Sequence, residues 1–219
     1  MNKYCTKKKC FSSDVIKRLC LYLRDLKIIK EEGKDSLPSS KLSQLLGISP
    51  EQFRKDLSYF GEFGKRGVGY NIENLIEKLE EIIQCKCEWK VALIGVGKLG
   101  NALLEYPGFI NFGLKIAVAY DVNPQKIGKT INGIKISDIN SVKDDISRLG
   151  IGIGVLCVPA NVVQSVVDKL YDFGIRAILN FAPSKIIVPD DMIVSNVDMA
   201  VELKTLGLMA CINQMNNKF

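Results

Sequence analysis

The feature that most constrains the fold is a glycine pattern in the stretch WKVALIGVGKLGNALL, residues 89–104. Gly95, Gly97 and Gly100 form G-x-G-x-x-G directly after an apolar run and at the start of an amphipathic one. Asp121 follows 21 residues after Gly100, at the end of a second apolar run, LKIAVAYD. A strand, a glycine turn, a helix and an acid at the end of the next strand are the context that a dinucleotide-binding fingerprint requires.

Each residue of this pattern has a physical role in such a site. Gly95 permits a tight turn, Gly97 lets the backbone approach a pyrophosphate, and Gly100 lets the helix pack closely on the strand. The phosphates would lie at the helix N-terminus, where unpaired N–H groups and the helix dipole favour an anion. Asp121 can accept hydrogen bonds from ribose hydroxyls and would repel a 2′-phosphate, so we expect NAD(H) rather than NADP(H). The alternative is a Rossmann-like domain that binds another nucleotide, coenzyme A or no ligand.

Strand and helix patterns alternate beyond the glycine motif. Apolar strand candidates lie at 151–159, 175–183 and 192–198, with a helical segment at 161–174. This alternation predicts a parallel sheet with right-handed crossover connections, a Rossmann fold. The apolar, helical tail follows after the last strand.

The N-terminal third of the chain is helical in pattern instead. Apolar residues at three- and four-residue spacing predict a helix over 12–32, and a short helix with a serine cap follows at 40–46. Ser49 is a suitable cap for a further helix over 50–60. This order is that of a helix-turn-helix. The glycine-rich stretch 61–70 indicates a hairpin turn, so we expect a winged helix-turn-helix.

The 50–60 helix divides its side chains between two faces. The face expected in the core carries Phe53, Leu57 and Phe60. The other face carries Arg54, Lys55, Ser58 and Tyr59.

The first 70 residues differ in net charge from the rest of the chain. Residues 1–70 hold 15 Lys and Arg against 8 Asp and Glu, a net of +7, whereas the remainder holds 15 against 16, a net of −1. A basic module joined to a near-neutral one suggests that only the first meets a polyanion.

Several classes of protein are disfavoured. The chain has no His, its seven Cys are scattered without a CxxC pair, and we expect reduced thiols and no metal site. About 110 residues of Rossmann fold leave no room for a substrate domain, so binding without catalysis is the better interpretation. The longest nearly apolar run, 151–160, is too short to span a bilayer, and no signal peptide is evident, so we expect a cytoplasmic protein.

The chain resembles the Rex family of redox-sensing transcriptional repressors, and the resemblance extends from about residue 12 to residue 210. The segments that carry the resemblance are RKDLSYFGEFGKRGVGY, GVGKLGNAL, YPGF, LNFAP and SNVD. The resemblance implies a non-catalytic homodimer that binds an inverted-repeat operator in double-stranded DNA. NADH would favour a form that leaves DNA, while NAD+ would compete without driving release. The implied domains are a winged helix over 1–84, a Rossmann NAD(H)-binding domain over 85–200 and a C-terminal helix over 201–219, swapped between subunits.

The resemblance also assigns residues. DNA contacts are expected from Arg54, Lys55, Ser58 and Tyr59 of the helix and from Lys65 and Arg66 of the wing. The switch residues near the nicotinamide are expected to be Arg24, Lys98, Tyr106 and Asp198, with Asp198 reaching across from the partner subunit. The full cofactor-binding set is Gly95, Val96, Gly97, Lys98, Leu99, Gly100, Tyr106, Asp121, Val158, Pro159, Asn180 and Asp198.

Plain structural roles compete with the switch assignments. Tyr106 could be a core or rim aromatic, Asp198 could cap the last helix, and Arg24 could be a solvated charge. Lys98 stands where some family members have Arg, and Met199 where some have an aromatic. At the level of function, the alternatives are an NAD-dependent oxidoreductase or a coenzyme A-binding Rossmann protein, each with an accessory basic domain.

Overall fold

A computed structural model describes residues 12–58, 69–83 and 88–216 of the chain. The chain divides into two compact units, Met1–Cys87 and Glu88–Phe219. The first unit is helical with one small sheet, and the second is built on a mainly parallel seven-stranded sheet.

The described part of the first unit contains four helices and two short strands. Its elements are α1 (Ser13–Glu31), β1 (Ser36–Leu37), α2 (Ser39–Leu45), α3 (Pro50–Ser58), β2 (Tyr70–Asn71) and α4 (Ile72–Ile83). The helix-turn-helix prediction is confirmed, with α3 as its second helix. β1 and β2 pair antiparallel, and Gly69 permits their approach, since a Cβ there would lie 2.7 Å from the Leu37 carbonyl oxygen.

The cap predictions for these helices have different outcomes. The Ser49 hydroxyl accepts from the Gln52 backbone N–H at 3.1 Å, as predicted for α3. The serine cap predicted for α2 is wrong, because Pro38 occupies the N-cap position and offers no side-chain acceptor. The Pro38 carbonyl accepts from the Leu42 N–H instead, and Ser39 already lies in the first turn.

One face of α3 is buried in the core of the first unit. Phe53 and Leu57 are almost fully buried, as predicted, and the Phe53 ring makes edge contacts with Tyr22 and Tyr70, both at 5.4 Å between centroids. Phe60, the third predicted core residue, and residues 61–68 of the predicted wing lie outside the described residues, so the hairpin stays a prediction.

The second unit has the strand order of a dinucleotide-binding fold. Its elements are β3 (Trp89–Ile94), α5 (Lys98–Glu105), β4 (Leu114–Asp121), β5 (Thr130–Ile131), β6 (Ile134–Asp138), α6 (Val142–Leu149), β7 (Ile151–Leu156), α7 (Val163–Asp172), β8 (Ala177–Asn180), β9 (Ile193–Asn196) and α8 (Met199–Asn216). The sheet order is β5-β6-β4-β3-β7-β8-β9, parallel except for the β5–β6 pair. The predicted parallel sheet is confirmed. The chain leaves central β3 first toward β4 and later toward β7, which creates a topological switch point at the carboxyl ends of these strands.

Apolar residues fill both faces of this sheet. Ala92 and Ile94 of β3 belong to one core cluster, whereas Val91 and Leu93 belong to the other, as alternate strand residues must. Burial of each such aliphatic side chain contributes about 1.5–3 kcal/mol.

Helix α8 differs from every other helix described. Its apolar side chains are exposed along its whole length: Met199, Val201, Leu203, Leu206, Leu208, Met209, Ile212 and Met215. A helix that is apolar on all sides normally lies buried. Among the described helices, none is long and apolar enough to cross a membrane.

Candidate functional site

The loop after β3 has a conformation that its glycines make possible. Gly95 has a φ of +94°, and a Cβ on it would lie 2.5 Å from the Cys157 carbonyl oxygen. The Gly95 N–H donates to the Tyr120 carbonyl oxygen at 2.8 Å, which ties the loop to the end of β4. A Cβ on Gly100 would lie 2.1 Å from the Gly95 carbonyl oxygen. These two glycines therefore make the turn and the close helix–strand contact that the sequence predicted.

Gly97 is different, because none of the described residues crowds it. It is exposed, it forms the N-cap of α5 in an extended conformation, and a Cβ on it would meet no heavy atom within 4 Å. No side chain caps α5 within the described structure. The first N–H groups of the helix, beginning at Lys98, are free of side-chain acceptors and suit an anion. The space beside Gly97 is what a pyrophosphate needs.

Asp121 ends β4 beside this loop. Its Oδ2 accepts from the Val96 N–H at 2.9 Å and from the Lys126 Nζ at 3.1 Å, and its Oδ1 accepts from the Asn123 N–H at 2.8 Å. Burial by itself raises the pKa of Asp121, but these three donors outweigh it and hold the pKa below its ordinary value. The carboxylate is therefore charged at neutral pH and fixed at the position where a ribose acceptor is expected.

Three neighbouring strands bring these groups to one edge of the sheet. β4, β3 and β7 lie side by side, so Asp121, the glycine loop and Val158 meet there. Val158 Cγ1 would lie 3.0 Å from a Cβ on Gly95, and Pro159 next to it is exposed. Burial raises the pKa of the adjacent Cys157 thiol to about 11, so this thiol stays protonated at neutral pH.

Asn180 has a structural role that the sequence did not reveal. Its side chain is fully buried, and its amide donates to Asn196 Oδ1 at 2.9 Å and to the carbonyl oxygens of Ala182 and Ser184. Its Oδ1 accepts from the Ala182 N–H at 2.9 Å. Asn180 thus fixes the loop after β8 beside the neighbouring strand.

The predicted switch residues lie in both units. Tyr106 is exposed, contacts Phe109 edge-on at 5.1 Å, and lies so close to Gly108 that a Cβ there would be 2.5 Å from its ring. Asp198 Oδ1 accepts from the Ala200 and Val201 N–H groups at 3.0 and 3.1 Å, so it does cap α8.

Arg24 belongs to the first unit. It lies on α1, and its Nε donates to Asp25 Oδ1 at 2.8 Å. Its predicted role and that of the other switch residues stay predictions.

The polar face of α3 is open to solvent. Arg54, Lys55 and Ser58 are exposed; the Ser58 hydroxyl donates to the Lys55 carbonyl oxygen at 2.7 Å. Arg54 pairs with Glu51 at 3.1 Å, one turn earlier on the same helix. Three further predicted DNA contacts lie outside the described residues: Tyr59, Lys65 and Arg66.

The buried carboxylate of Asp56 on this same helix was missed by sequence reasoning. It is fully buried and accepts hydrogen bonds from Arg18, Tyr22 and Gln52. A usable indication was present, because Asp56 follows Phe53 by three residues and so shares its inward face. No group of three or more potential metal ligands of the His, Cys, Asp or Glu type lies together in the part of the chain described.

Comparison with known proteins covers both units. A family model described as a putative DNA-binding protein N-terminus matches residues 12–58, and one described as a CoA binding domain matches residues 86–184. Among solved structures, RSP, a Rex-family repressor, in complex with β-NAD+ and operator DNA superposes with a TM-score of 0.88 at 35% identity, covering 96% of this chain and 97% of that one. RSP in complex with β-NADH gives 0.86 at 34% identity, covering 96% and 99%.

Full-length relatives give the same result. The redox-sensing transcriptional repressor Rex of Syntrophobacter fumaroxidans is 41% identical over 191 residues, covering 87% of this chain and 91% of that one. The Rex repressor of Roseiflexus sp. strain RS-1 is 42% identical over 192 residues, covering 88% and 87%. With this identity sustained through both units, the chain belongs to the Rex family of redox-sensing transcriptional repressors.

Proposed function

We propose that this chain is a DNA-binding transcriptional repressor that senses the NADH/NAD+ ratio, and that NADH releases its dimer from an inverted-repeat operator. The observation that carries the proposal is the presence, in one chain, of the exposed Arg54 and Lys55 on α3 and of a glycine loop left open at Gly97. The complexes of RSP with β-NAD+ and operator DNA and with β-NADH support it. The repressor acts without catalysis, in the cytoplasm.

The dinucleotide lies across the carboxyl edge of the sheet. Its pyrophosphate meets the N–H groups at Gly97 and Lys98, and Asp121 accepts from the adenosine ribose hydroxyls. The ribose replaces some of the donors that hold Asp121 in the free protein, and the Lys126 ammonium, a side-chain donor on the surface, is the one we expect it to replace. The proposed contacts are Gly95, Val96, Gly97, Lys98, Leu99, Gly100, Tyr106, Asp121, Val158, Pro159, Asn180 and Asp198.

Discrimination between NADH and NAD+ arises at the nicotinamide ring, where the two ligands differ in charge and planarity. The proposed switch residues are Arg24, Lys98, Tyr106 and Asp198. Tyr106 is available for this because its ring is exposed. Asp198 holds a carboxylate at the start of α8, where it serves as helix cap and as an anionic partner of the switch. Lys98 supplies charge without the bidentate geometry of Arg.

DNA binding relies on α3. Phosphate contacts from Lys and Arg supply affinity that falls with salt, while a few side chains read base edges in the major groove. The proposed contacts are Arg54, Lys55, Ser58 and Tyr59, with Lys65 and Arg66 of the wing. On binding, Arg54 leaves its exposed ion pair with Glu51 and contacts DNA instead. The free energy lost is small, because exposed ion pairs contribute about 0–1 kcal/mol.

The exposed apolar helix α8 supports a homodimer. An 18-residue helix with apolar side chains exposed on all sides needs a surface to cover it, and a second copy of the chain supplies one. An inverted repeat requires two copies at a fixed separation. NADH then needs only a different affinity for two arrangements of the dimer to change that separation.

A thermal-shift comparison of NADH, NAD+, NADP+ and coenzyme A tests the nucleotide assignment. The matching CoA binding domain model favours coenzyme A as the second candidate. Asp121 argues against it, since coenzyme A carries a phosphate on the same ribose. We expect stabilisation by NADH and NAD+, and stabilisation by coenzyme A alone would reject the proposal. Turnover of NADH with an added substrate would favour the oxidoreductase instead.

Selection from a pool of random duplexes tests DNA recognition. The full chain should enrich an inverted repeat, which we call the operator duplex. Arg54→Ala combined with Lys55→Ala should abolish its binding. The matched control, Lys129→Ala with Lys135→Ala, removes the same charge from exposed positions of the second unit and should bind normally. Retained binding by the α3 variant would show that this helix is not the reader.

A further inference from the structure

A buried acid lies on α3, the helix proposed to read DNA. The Asp56 carboxylate is fully buried although its neighbours Arg54, Lys55 and Ser58 are exposed. A carboxylate in such a place requires partners, because an unpaired buried charge is strongly unfavourable. Its presence on the inner face of α3 therefore calls for an explanation beyond core packing.

Four hydrogen bonds satisfy this carboxylate. Arg18 donates from Nε to Oδ2 at 2.6 Å and from Nη2 to Oδ1 at 2.8 Å, in a two-pronged pair. The Tyr22 hydroxyl donates to Oδ2 at 2.8 Å, and Gln52 Nε2 donates to Oδ1 at 2.8 Å. Three of the four bonds come from one turn of α1, at Arg18 and Tyr22. We call this set the α1–α3 clamp.

The charges in the clamp stay fixed at neutral pH. Burial alone raises the pKa of Asp56, but the hydrogen bonds from Arg18, Tyr22 and Gln52 outweigh it and keep the pKa below its ordinary value. The hydrogen bond to Asp56 raises the pKa of Arg18. Both partners are therefore ionised, and the strong, directional form of the interaction persists.

Geometry distinguishes the clamp from apolar packing. Phe53 and Leu57 hold α3 against the core, but apolar contacts tolerate sliding and rotation. A bidentate Arg–carboxylate pair does not tolerate such movement, because each of the two N–H groups must point at its own carboxylate oxygen. Buried ion pairs contribute little net stability compared with apolar residues of similar size, so a positional role is the better explanation.

We propose that the Arg18–Asp56 pair fixes the rotation of α3 about its own axis and thereby aims Arg54, Lys55 and Ser58 at the base edges of the operator. Arg18 and Asp56 are positioning residues, and the inference rests on the proposed DNA-binding function of α3. Side-chain tips lie about 5–6 Å from a helix axis, so a rotation of about 20° moves them by about 2 Å. That shift exceeds the tolerance of a hydrogen bond to a base edge.

Loss of the clamp should therefore affect specific binding more than non-specific binding. Flexible Lys and Arg side chains still reach phosphates after a small rotation, whereas direct base contacts are lost. We expect the affinity for the operator duplex to fall about 10- to 100-fold, the effect of one or two base contacts. Affinity for a scrambled duplex of the same length should change by less than about twofold, since phosphate contacts supply it.

The experiment uses the full chain with Asp56→Asn, which keeps the shape and removes the charge. Fluorescence anisotropy at one salt concentration measures binding to the operator and scrambled duplexes, and circular dichroism checks folding. Glu80→Gln is the matched control, because it removes another ion pair of α1, Lys27–Glu80 at 2.6 Å, that connects to α4 instead. The control should discriminate between the duplexes like the unaltered chain.

A second variant guards against failure of Asp56→Asn to fold. Tyr22→Phe removes one hydroxyl and leaves the ring contact with Phe53, so it should show a smaller loss in the same direction. Arg18→Lys keeps the charge but not the two-pronged geometry and should behave like Asp56→Asn. A combination of Arg18→Lys and Asp56→Asn should lose no more than either alone, because both break one pair.

Three outcomes would overturn the inference. Folded variants that discriminate between the duplexes as well as the unaltered chain would show that the clamp does not aim α3. If Asp56→Asn and Glu80→Gln lose affinity for the operator duplex equally, the loss would reflect lower stability of the protein and not the orientation of α3. Equal binding of both duplexes by the unaltered chain would instead reject the proposed function, and this inference with it.

Discussion

Replacing Gly97 by alanine should separate nucleotide binding from folding. Gly97 has a φ of −79° and a ψ of −160°, an extended conformation that alanine adopts, and an added Cβ meets no heavy atom within 4 Å. The free protein should therefore accept the methyl group. Alanine also restricts the unfolded chain, which raises the free energy of unfolding by about 0.4–1 kcal/mol and the melting temperature by about 1–4 °C.

The same methyl group should obstruct NADH. It occupies the open space where the pyrophosphate must approach the N-terminus of α5. A hydrogen bond to a charged group contributes about 1.5–3 kcal/mol, so displacing the phosphate from one N–H should weaken NADH binding about 10- to 150-fold. Calorimetric titration with NADH and thermal denaturation of the free chain measure the two effects separately.

Gly100→Ala provides the contrast within the same motif. Its Cβ would lie 2.1 Å from the Gly95 carbonyl oxygen, so α5 would have to move away from β3. Overpacking of this kind costs about 1–3 kcal/mol, and the free protein should melt several degrees lower. Unchanged NADH affinity in Gly97→Ala would place the pyrophosphate elsewhere. A melting temperature lowered as much as in Gly100→Ala would refute the structural reasoning.

Three further predictions concern stability at low pH, dimer formation and the choice between NADH and NADPH. Asp56 has a folded-state pKa below its unfolded value near 4, so its contribution to the free energy of unfolding is complete above about pH 4 and declines below it. Urea denaturation should show that the free energy of unfolding decreases less between pH 6 and pH 3 in Asp56→Asn than in the unaltered chain. Equal decreases would contradict the assignment. Leu203→Glu with Leu206→Glu should give a folded monomer in light scattering, whereas Lys204→Glu should leave the dimer intact; a dimer in both would exclude α8 from the interface. Asp121→Asn should reduce NADH affinity about tenfold and narrow the preference for NADH over NADPH, which competitive titration measures, since it removes the charge that repels a 2′-phosphate.

Local patterns allowed much of the fold to be predicted from the sequence. The glycine motif is recognisable because positive φ at Gly95 and close contact at Gly100 are requirements that few residues other than glycine meet. The inner face of α3 was predictable at Phe53 and Leu57, because helical periodicity places them together. The apolar tail was predictable as a helix that its own sheet does not cover.

Other features depend on partners distant in sequence. Strands β5 and β6 and helix α6 were not predicted, because strands of two and five residues give too little periodicity. The α1–α3 clamp joins Arg18 and Asp56, which are 38 residues apart, and an acid on a helix rich in charged residues resembles a solvated charge until its partner is known. The internal hydrogen bonds of Asn180 likewise appear only when β8 and β9 lie side by side.

Fluorescence anisotropy of the labelled operator duplex, titrated with NADH and separately with NAD+, tests the central claim most directly. The account predicts that micromolar NADH dissociates the complex of the full chain with this duplex, whereas NAD+ leaves it bound and raises the NADH concentration needed for release. A complex that survives NADH but dissociates with NAD+ would contradict the proposed direction of sensing.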